Sequence, residues 1–177
     1  IPKRDWSSDV CSSDLPGEGY KADLRLVFMV AESVARSIDH DLIFVNKSTV
    51  PVGTGQECEK RIRSILAERQ CPHRVTVVSN PEFLREGLAV SDTLIPDRIV
   101  VGMNREGDAA HLIHVESLLR ELYQPFTAKK VPLLFMTRES AEIVKYASNA
   151  FLATKISFIN MLTELTEKSG ARIQDVA

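Results

Sequence analysis

The sequence predicts an α/β fold built on a mainly parallel sheet. Two observations lead there. Leu42–Val45, Arg74–Ser79, Arg98–Val101 and Pro132–Met136 are short, largely apolar runs of the length and composition of buried strands. Between them lie longer stretches in which apolar residues recur at helical spacing. Strands that alternate with helices are joined by crossovers, and crossovers leave neighbouring strands parallel.

Each element has its own local signals. Asp23 stands as the N-cap of the first helix, whose apolar face is Leu24, Val27, Phe28, Ala31, Val34, Ala35 and Ile38. Asp39-His40-Asp41 ends that helix, and strand Leu42–Val45 follows. Beyond the Pro- and Gly-containing segment Lys47–Gly55, Thr54 with Glu57 three residues on reads as a capping box for a helix reaching about Glu68. Strand Arg74–Ser79 carries Val75, Val77 and Val78, and the turn Asn80-Pro81-Glu82-Phe83 leads to a short helix near Leu84–Val90. Strand Arg98–Val101 is closed by Gly102. Asp108–Leu122 is helical, with Leu112, Val115, Leu118, Leu119 and Leu122 on one face. Strand Pro132–Met136 precedes the long helix Glu139–Lys168, stopped by Ser169-Gly170.

Composition excludes several classes. With 44% hydrophobic and 26% charged residues and a net charge of −2, the chain is an ordinary soluble protein without the basic excess of a nucleic-acid binder. No apolar run approaches membrane-spanning length. Cys11, Cys58 and Cys71 are an odd number without paired spacing, so free thiols in a reducing cytoplasm are expected. Residues 1–15 differ in character. Ser7-Ser8-Asp9-Val10 is nearly repeated as Ser12-Ser13-Asp14-Leu15, without helical or strand periodicity. The stretch looks like translated linker or adapter sequence, a non-native leader, and lacks the apolar core of a signal peptide.

Three groups of polar residues are candidates for chemistry. The Lys47–Gly55 turn follows a strand and precedes a helix, the place where ligands bind in doubly wound sheets. Ser48, Thr49 and the backbone there can hold a polar ligand; the same features also suit a simple capped turn. Glu82 and Glu86 follow the next strand, where a carboxylate can act as a general base or a ribose-binding group, or simply complement a helix dipole. Lys145 and Asn149 lie one turn apart on a helix so apolar that burial is expected, and a buried ammonium needs partners. Helix statistics alone favour a solvent-facing pair. His111 and His114 have no acidic or cysteine ligands nearby, so solvated histidines and no metal site are expected.

Taken together, Lys47–Gly55, Asn80–Gly87, Pro96–Gly102 and Glu139–Asn160 resemble the nucleotide-sugar dehydrogenase family, with similarity from about Asp23 to the end. The resemblance implies the second part of a Rossmann-like NAD-binding domain over 16–137. It also implies a connecting helix and the start of an α-helical dimerisation domain over 138–177. The implied cofactor is NAD, and the implied substrate is UDP-glucose, with GDP-mannose as alternative; Pro96-Asp97-Arg98 favours the former. A non-catalytic binding or scaffold module is the alternative of another class.

The implied reaction oxidises the sugar C6 alcohol to a carboxylate in two hydride transfers by way of a cysteine-bound thiohemiacetal and thioester. Lys145 and Asn149 match the positions that stabilise the C6 oxyanion, Glu82 the general acid/base and Thr49 the water-orienting residue. Ser48, Thr49, Val50 and Glu86 match cofactor contacts. Glu82, Phe83, Leu84, Arg85 and Glu86, with Lys145 and Asn149, match substrate contacts. The family's glycine-rich fingerprint is expected upstream of Asp23 and its nucleophilic cysteine downstream of Ala177. The isolated chain is therefore expected neither to turn over substrate nor to bind NAD tightly. A homodimer or higher oligomer is implied for the full-length protein.

Overall fold

The computed structural model describes residues 22–85 and 87–176; the expected leader, Cys11 and Glu86 lie outside them. The chain divides into two compact units between Ile143 and Val144. The first holds helix α1 (Arg25–Ser37), strand β1 (Leu42–Asn46), α2 (Thr54–Glu68), β2 (Val75–Ser79), α3 (Ala89–Leu94), β3 (Ile99–Met103), α4 (Ala109–Leu122), α5 (Gln124–Thr127) and β4 (Leu133–Thr137). Helix α6 (Arg138–Ser169) begins in it and runs through the second unit, followed by α7 (Ile173–Val176).

The sheet has the order β1-β2-β3-β4. β1 pairs with β2 and β3 with β4 in parallel, each over five residues. β3 runs antiparallel to β2, and their pairing is confined to Val78 with Met103 and Ser79 with Gly102. The sheet is thus mostly parallel, with one inversion at its centre. The connection from β2 to β3 carries α3, which starts at Ala89, five residues later than the sequence predicts. Gly87, at a φ of 78°, supplies the turn that delays it.

Successive strand side chains point to opposite faces, and the core divides accordingly. Val75 and Val77 pack with Ala31, Ala35, Ile38, Cys58, Ile62 and Leu66 beneath α1 and α2. Val78 faces the other way, with Ile99, Val101, Met103, Val115 and Leu119 under α4. Each Val, Leu, Ile or Met among them contributes roughly 1.5–3 kcal/mol by leaving water. Leu118 and Leu122, expected on the buried face of α4, are exposed. The sheet side of that helix is already filled by Val115 and Leu119.

Capping differs from expectation. Asp23 accepts a hydrogen bond from the Arg25 N–H at 3.0 Å but stands one residue before the cap position, which is Leu24. There is no capping box at α2. Thr54 is the first helical residue, its hydroxyl donates to the Pro51 carbonyl, and Glu57 accepts from Arg61. Gly53 is the cap, in the left-handed region at a φ of 91° that other residues adopt only with strain. Its partner comes from far along the chain. One oxygen of Glu142 accepts from the Gly53 N–H at 2.7 Å, and the other accepts from the Gly55 N–H at 2.9 Å and the Ser79 hydroxyl at 3.2 Å. Two orphan donors of α2 and the end of β2 thereby share one buried carboxylate of α6.

Gly102, which sequence places after its strand, lies within β3 because α6 crosses it too closely for a side chain. A Cβ there would stand 2.5 Å from the Ala141 Cβ and 2.9 Å from the Arg138 Cα. Arg138, also buried, pairs with Glu59 of α2 at 2.6 Å.

In the second unit, Phe151, Leu152, Ile156, Phe158, Met161 and Leu165 of α6 are exposed. The expected burial of this helix is found only in part: in this unit Lys145 and Thr166 are buried while these apolar side chains are not. Gly170, at a φ of 74°, ends α6 as predicted.

Glu142→Ala leaves three polar groups without their acceptor and is expected to cost on the order of 3 kcal/mol, read from urea denaturation. Gly102→Ala drives its methyl against Ala141 and Arg138 and is expected to cost about 1–3 kcal/mol in the same measurement.

Candidate active site

Because β3 is inverted, its amino end lies beside the carboxyl ends of β1 and β2. The segments that meet there line a cavity of about 410 Å3. Lys47, Ser48 and Thr49 reach it from the turn after β1, and Asn80 to Leu84 from the loop after β2. Pro96, Arg98 and Ile99 approach from the start of β3, and Tyr123 and Phe126 from the end of α4 and from α5.

Asn80 organises this edge. It is buried, and its N–H donates to the Asn46 carbonyl at 2.8 Å, prolonging the β1–β2 ladder by one rung. Pro81 next to it has no N–H to donate and ends the strand. The Asn80 side-chain N–H bonds the Val100 carbonyl at 2.7 Å, across to β3. Its Oδ1 accepts from Lys47 Nζ at 2.9 Å and from the Tyr123 hydroxyl at 2.5 Å. On the facing turn, Asn46 Oδ1 accepts from the Ser48 N–H at 3.2 Å, folding Lys47–Thr49 over the strand end. The Asn46 Nδ2 is buried and has no hydrogen-bond partner.

Two further contacts shape the loop after β2. The Arg98 guanidinium lies over the Phe83 ring, 4.6 Å from its centroid, a cation–π stack. Asp92 of α3 takes the Arg85 guanidinium at 2.6 and 3.0 Å and the Arg85 N–H at 2.9 Å. The guanidinium hydrogen bonds, then the backbone one, hold the Asp92 carboxyl well down, at about 2. Lys47 keeps much of its side chain in solvent, yet desolvation around its ammonium draws it below the usual lysine range, opposed by the negative charge of Glu82. Burial pushes the Tyr123 phenol up.

The structure brings Ser48, Thr49, Glu82, Phe83 and Leu84 around one cavity. Val50 is buried beneath the turn. Arg85 is engaged by Asp92, and Glu86 lies outside the described residues. In the second unit, Lys145 is buried and Asn149 exposed. His111 is not simply solvated, since its Nε2 lies 2.7 Å from the Thr76 hydroxyl. Among the described residues no group of side chains could hold a metal ion, and no helix is long and apolar enough to cross a membrane. Cys58 is buried and its thiol is pushed up to about 11 by desolvation, which makes it inert.

Asn80, Asp92, Arg98 and Tyr123 escaped sequence reasoning as site residues. Tyr123 lies 43 positions from its partner Asn80. Only the position of Asn80 directly after a strand hinted at its role.

An open, mostly parallel sheet with a polar cavity where its strand ends meet defines a Rossmann-type nucleotide-binding domain. The chain belongs to the UDP-glucose/GDP-mannose dehydrogenase family: residues 13–127 match its NAD binding domain and residues 139–177 its central domain. The nucleotide of this domain is NAD. A UDP-glucose 6-dehydrogenase of Rhizobium meliloti is 47% identical over 161 residues, 91% of this chain and 35% of that protein. One of Pseudomonas aeruginosa is 48% identical over 160 residues, 90% of this chain and 34% of its own length. The chain thus spans about a third of the curated relatives it matches. A UDP-glucose dehydrogenase structure from Pyrobaculum islandicum superposes with a TM-score of 0.74 at 40% identity, covering 91% of this chain and 35% of that one. A ternary complex of GDP-mannose dehydrogenase from Pseudomonas aeruginosa gives 0.76 at 25% identity, covering 92% and 36%.

The Asp92 latch makes stability depend on pH with a definite sign. Its carboxyl is lowered from 3.8 to about 2 on folding, so its contribution is complete above pH 3.8 and is lost as pH falls through about 2. Urea midpoints of the Asp92→Asn variant are expected to lie below wild type above pH 3.8 and to converge with it as pH falls toward 2.

Proposed function

We propose that this chain is the part of a UDP-glucose 6-dehydrogenase that carries the second portion of the NAD-binding domain and the helix leading into the central domain. The complete enzyme oxidises the C6 alcohol of UDP-glucose to UDP-glucuronate in two hydride transfers. One observation carries the reading. The two motif loops, bearing Thr49 and Glu82, open into a single cavity at the strand ends, in a chain 47–48% identical to proteins described as UDP-glucose 6-dehydrogenases.

The residues of this edge fit NAD. The turn offers the hydroxyls of Ser48 and Thr49, with the Lys47 cation beside them and no carboxylate of its own. Ser48, Thr49, Val50 and Glu86 would hold the cofactor, which supplies the hydride acceptor. Glu82 acts as general acid/base, and Thr49 orients the water that hydrolyses the acyl intermediate. Lys145 and Asn149 stabilise negative charge developing on the C6 oxygen; a cation is worth most in such a role when it is withdrawn from water, and Lys145 is buried. Glu82 to Glu86 contact the substrate, with Arg85 acting through its Asp92-fixed backbone. The protein works in the cytoplasm as a homodimer or larger oligomer, a reading favoured by the exposed apolar residues of α6. GDP-mannose is the alternative substrate, supported by the TM-score of 0.76 to a GDP-mannose dehydrogenase.

In the complete enzyme Glu82→Gln is expected to lower kcat by about 10²–10⁴-fold while KM for UDP-glucose changes little. Steady-state NADH formation with UDP-glucose and GDP-mannose in competition tests the substrate, and preference for GDP-mannose would overturn the UDP-glucose reading.

A further inference from the structure

Asn80 Oδ1 has two lone pairs, and both are taken, one by Lys47 and one by Tyr123. Its Nδ2 is committed to Val100 and its main-chain N–H to Asn46. The side chain therefore cannot turn without breaking several bonds in a buried setting, where an unmade bond is costly. Lys47 immediately precedes Ser48 and Thr49, and Asn80 precedes Glu82 by two residues. The Lys47–Asn80 bond consequently spans the two loops that open into the cavity, and Tyr123 braces it from the end of α4.

We infer that Lys47 and Tyr123 are positioning residues: their donors, converging on Asn80 Oδ1, hold the loop bearing Glu82 in register with the turn bearing Thr49. This rests on the proposed dehydrogenase reading, in which Glu82 and Thr49 act together on one reacting centre. Small misplacements of such groups are costly, about 10²-fold for 1 Å. The ionisable groups lining the cavity with Glu82 are Lys47, Asp92, Arg98 and Tyr123. Of these, Asp92 is bound to Arg85 and Arg98 lies over the Phe83 ring, while Lys47 and Tyr123 both donate to Asn80.

The two residues are separable in the complete enzyme. Tyr123→Phe keeps the ring and removes only the donor; it is expected to lower kcat about tenfold, with KM and the pH profile of kcat unchanged. Lys47→Met removes the tether between the two loops and is expected to lower kcat about 100-fold, with KM for UDP-glucose changing little. Lys47→Arg, which keeps a donor for Asn80 Oδ1, is expected to restore part of the rate. Should Lys47→Met fail to fold, Tyr123→Phe and Lys47→Arg carry the test by the same readouts. Wild-type kcat in both Tyr123→Phe and Lys47 variants, or losses confined to thermal stability, would overturn the inference. Full turnover by Glu82→Gln would instead remove the reading beneath it, so the two failures are distinct.

Discussion

The carboxylate of Glu142 is the interaction on which the rest of the first unit depends. It closes the amino end of α2, holds the Ser79 hydroxyl at the end of β2, and belongs to the first turns of α6. Three elements distant in sequence are thereby fixed to one another at the edge where the cavity opens. The bare Cα atoms of Gly55 and Gly102 make this possible, since a methyl at either would stand 2.5 Å from a side-chain carbon of α6. An ordinary local cap would have satisfied α2 equally well. It would not have tied the Ser79 hydroxyl at the end of β2 to the long helix.

The polar edge follows from that framework. Strand inversion at β3 places Pro96 and Arg98, which precede a strand, among loops that follow strands. The Arg98–Phe83 stack and the Arg85–Asp92 latch then hold a loop that has little regular structure of its own. Polar groups gathered this way are preorganised by their neighbours rather than by their own segment.

Much of this was legible in the chain. Periodicity located all four strands to within about two residues, together with α2, α4 and α6, because burial of alternate or helical faces writes itself directly into residue order. The family motifs pointed to Thr49 and Glu82, and both open into the cavity. What was not legible depends on distance along the chain. Thr54 and Glu57 carry a valid local cap pattern, yet a glutamate 89 residues from Gly53 supplies the cap. The direction of β3 has no local marker, and its inversion decides which residues surround Glu82. Apolar content marked α6 as buried, but composition does not say whether the covering surface belongs to the same chain.

The inverted strand has a mechanical consequence. β1–β2 and β3–β4 are each sealed by a full five-residue ladder, while two residue pairs join the halves. The sheet is thus two fully laddered halves whose backbone pairing narrows to two residue pairs, with Val78 packed on Ile99, Val101 and Met103 across the same line. The Asn80 amide, bonded to Val100, is a side-chain stitch across the same line. The alignment of the polar edge therefore draws on a contact that also helps to hold the two halves together. A substitution that disturbs this line reaches the polar edge directly, through Asn80.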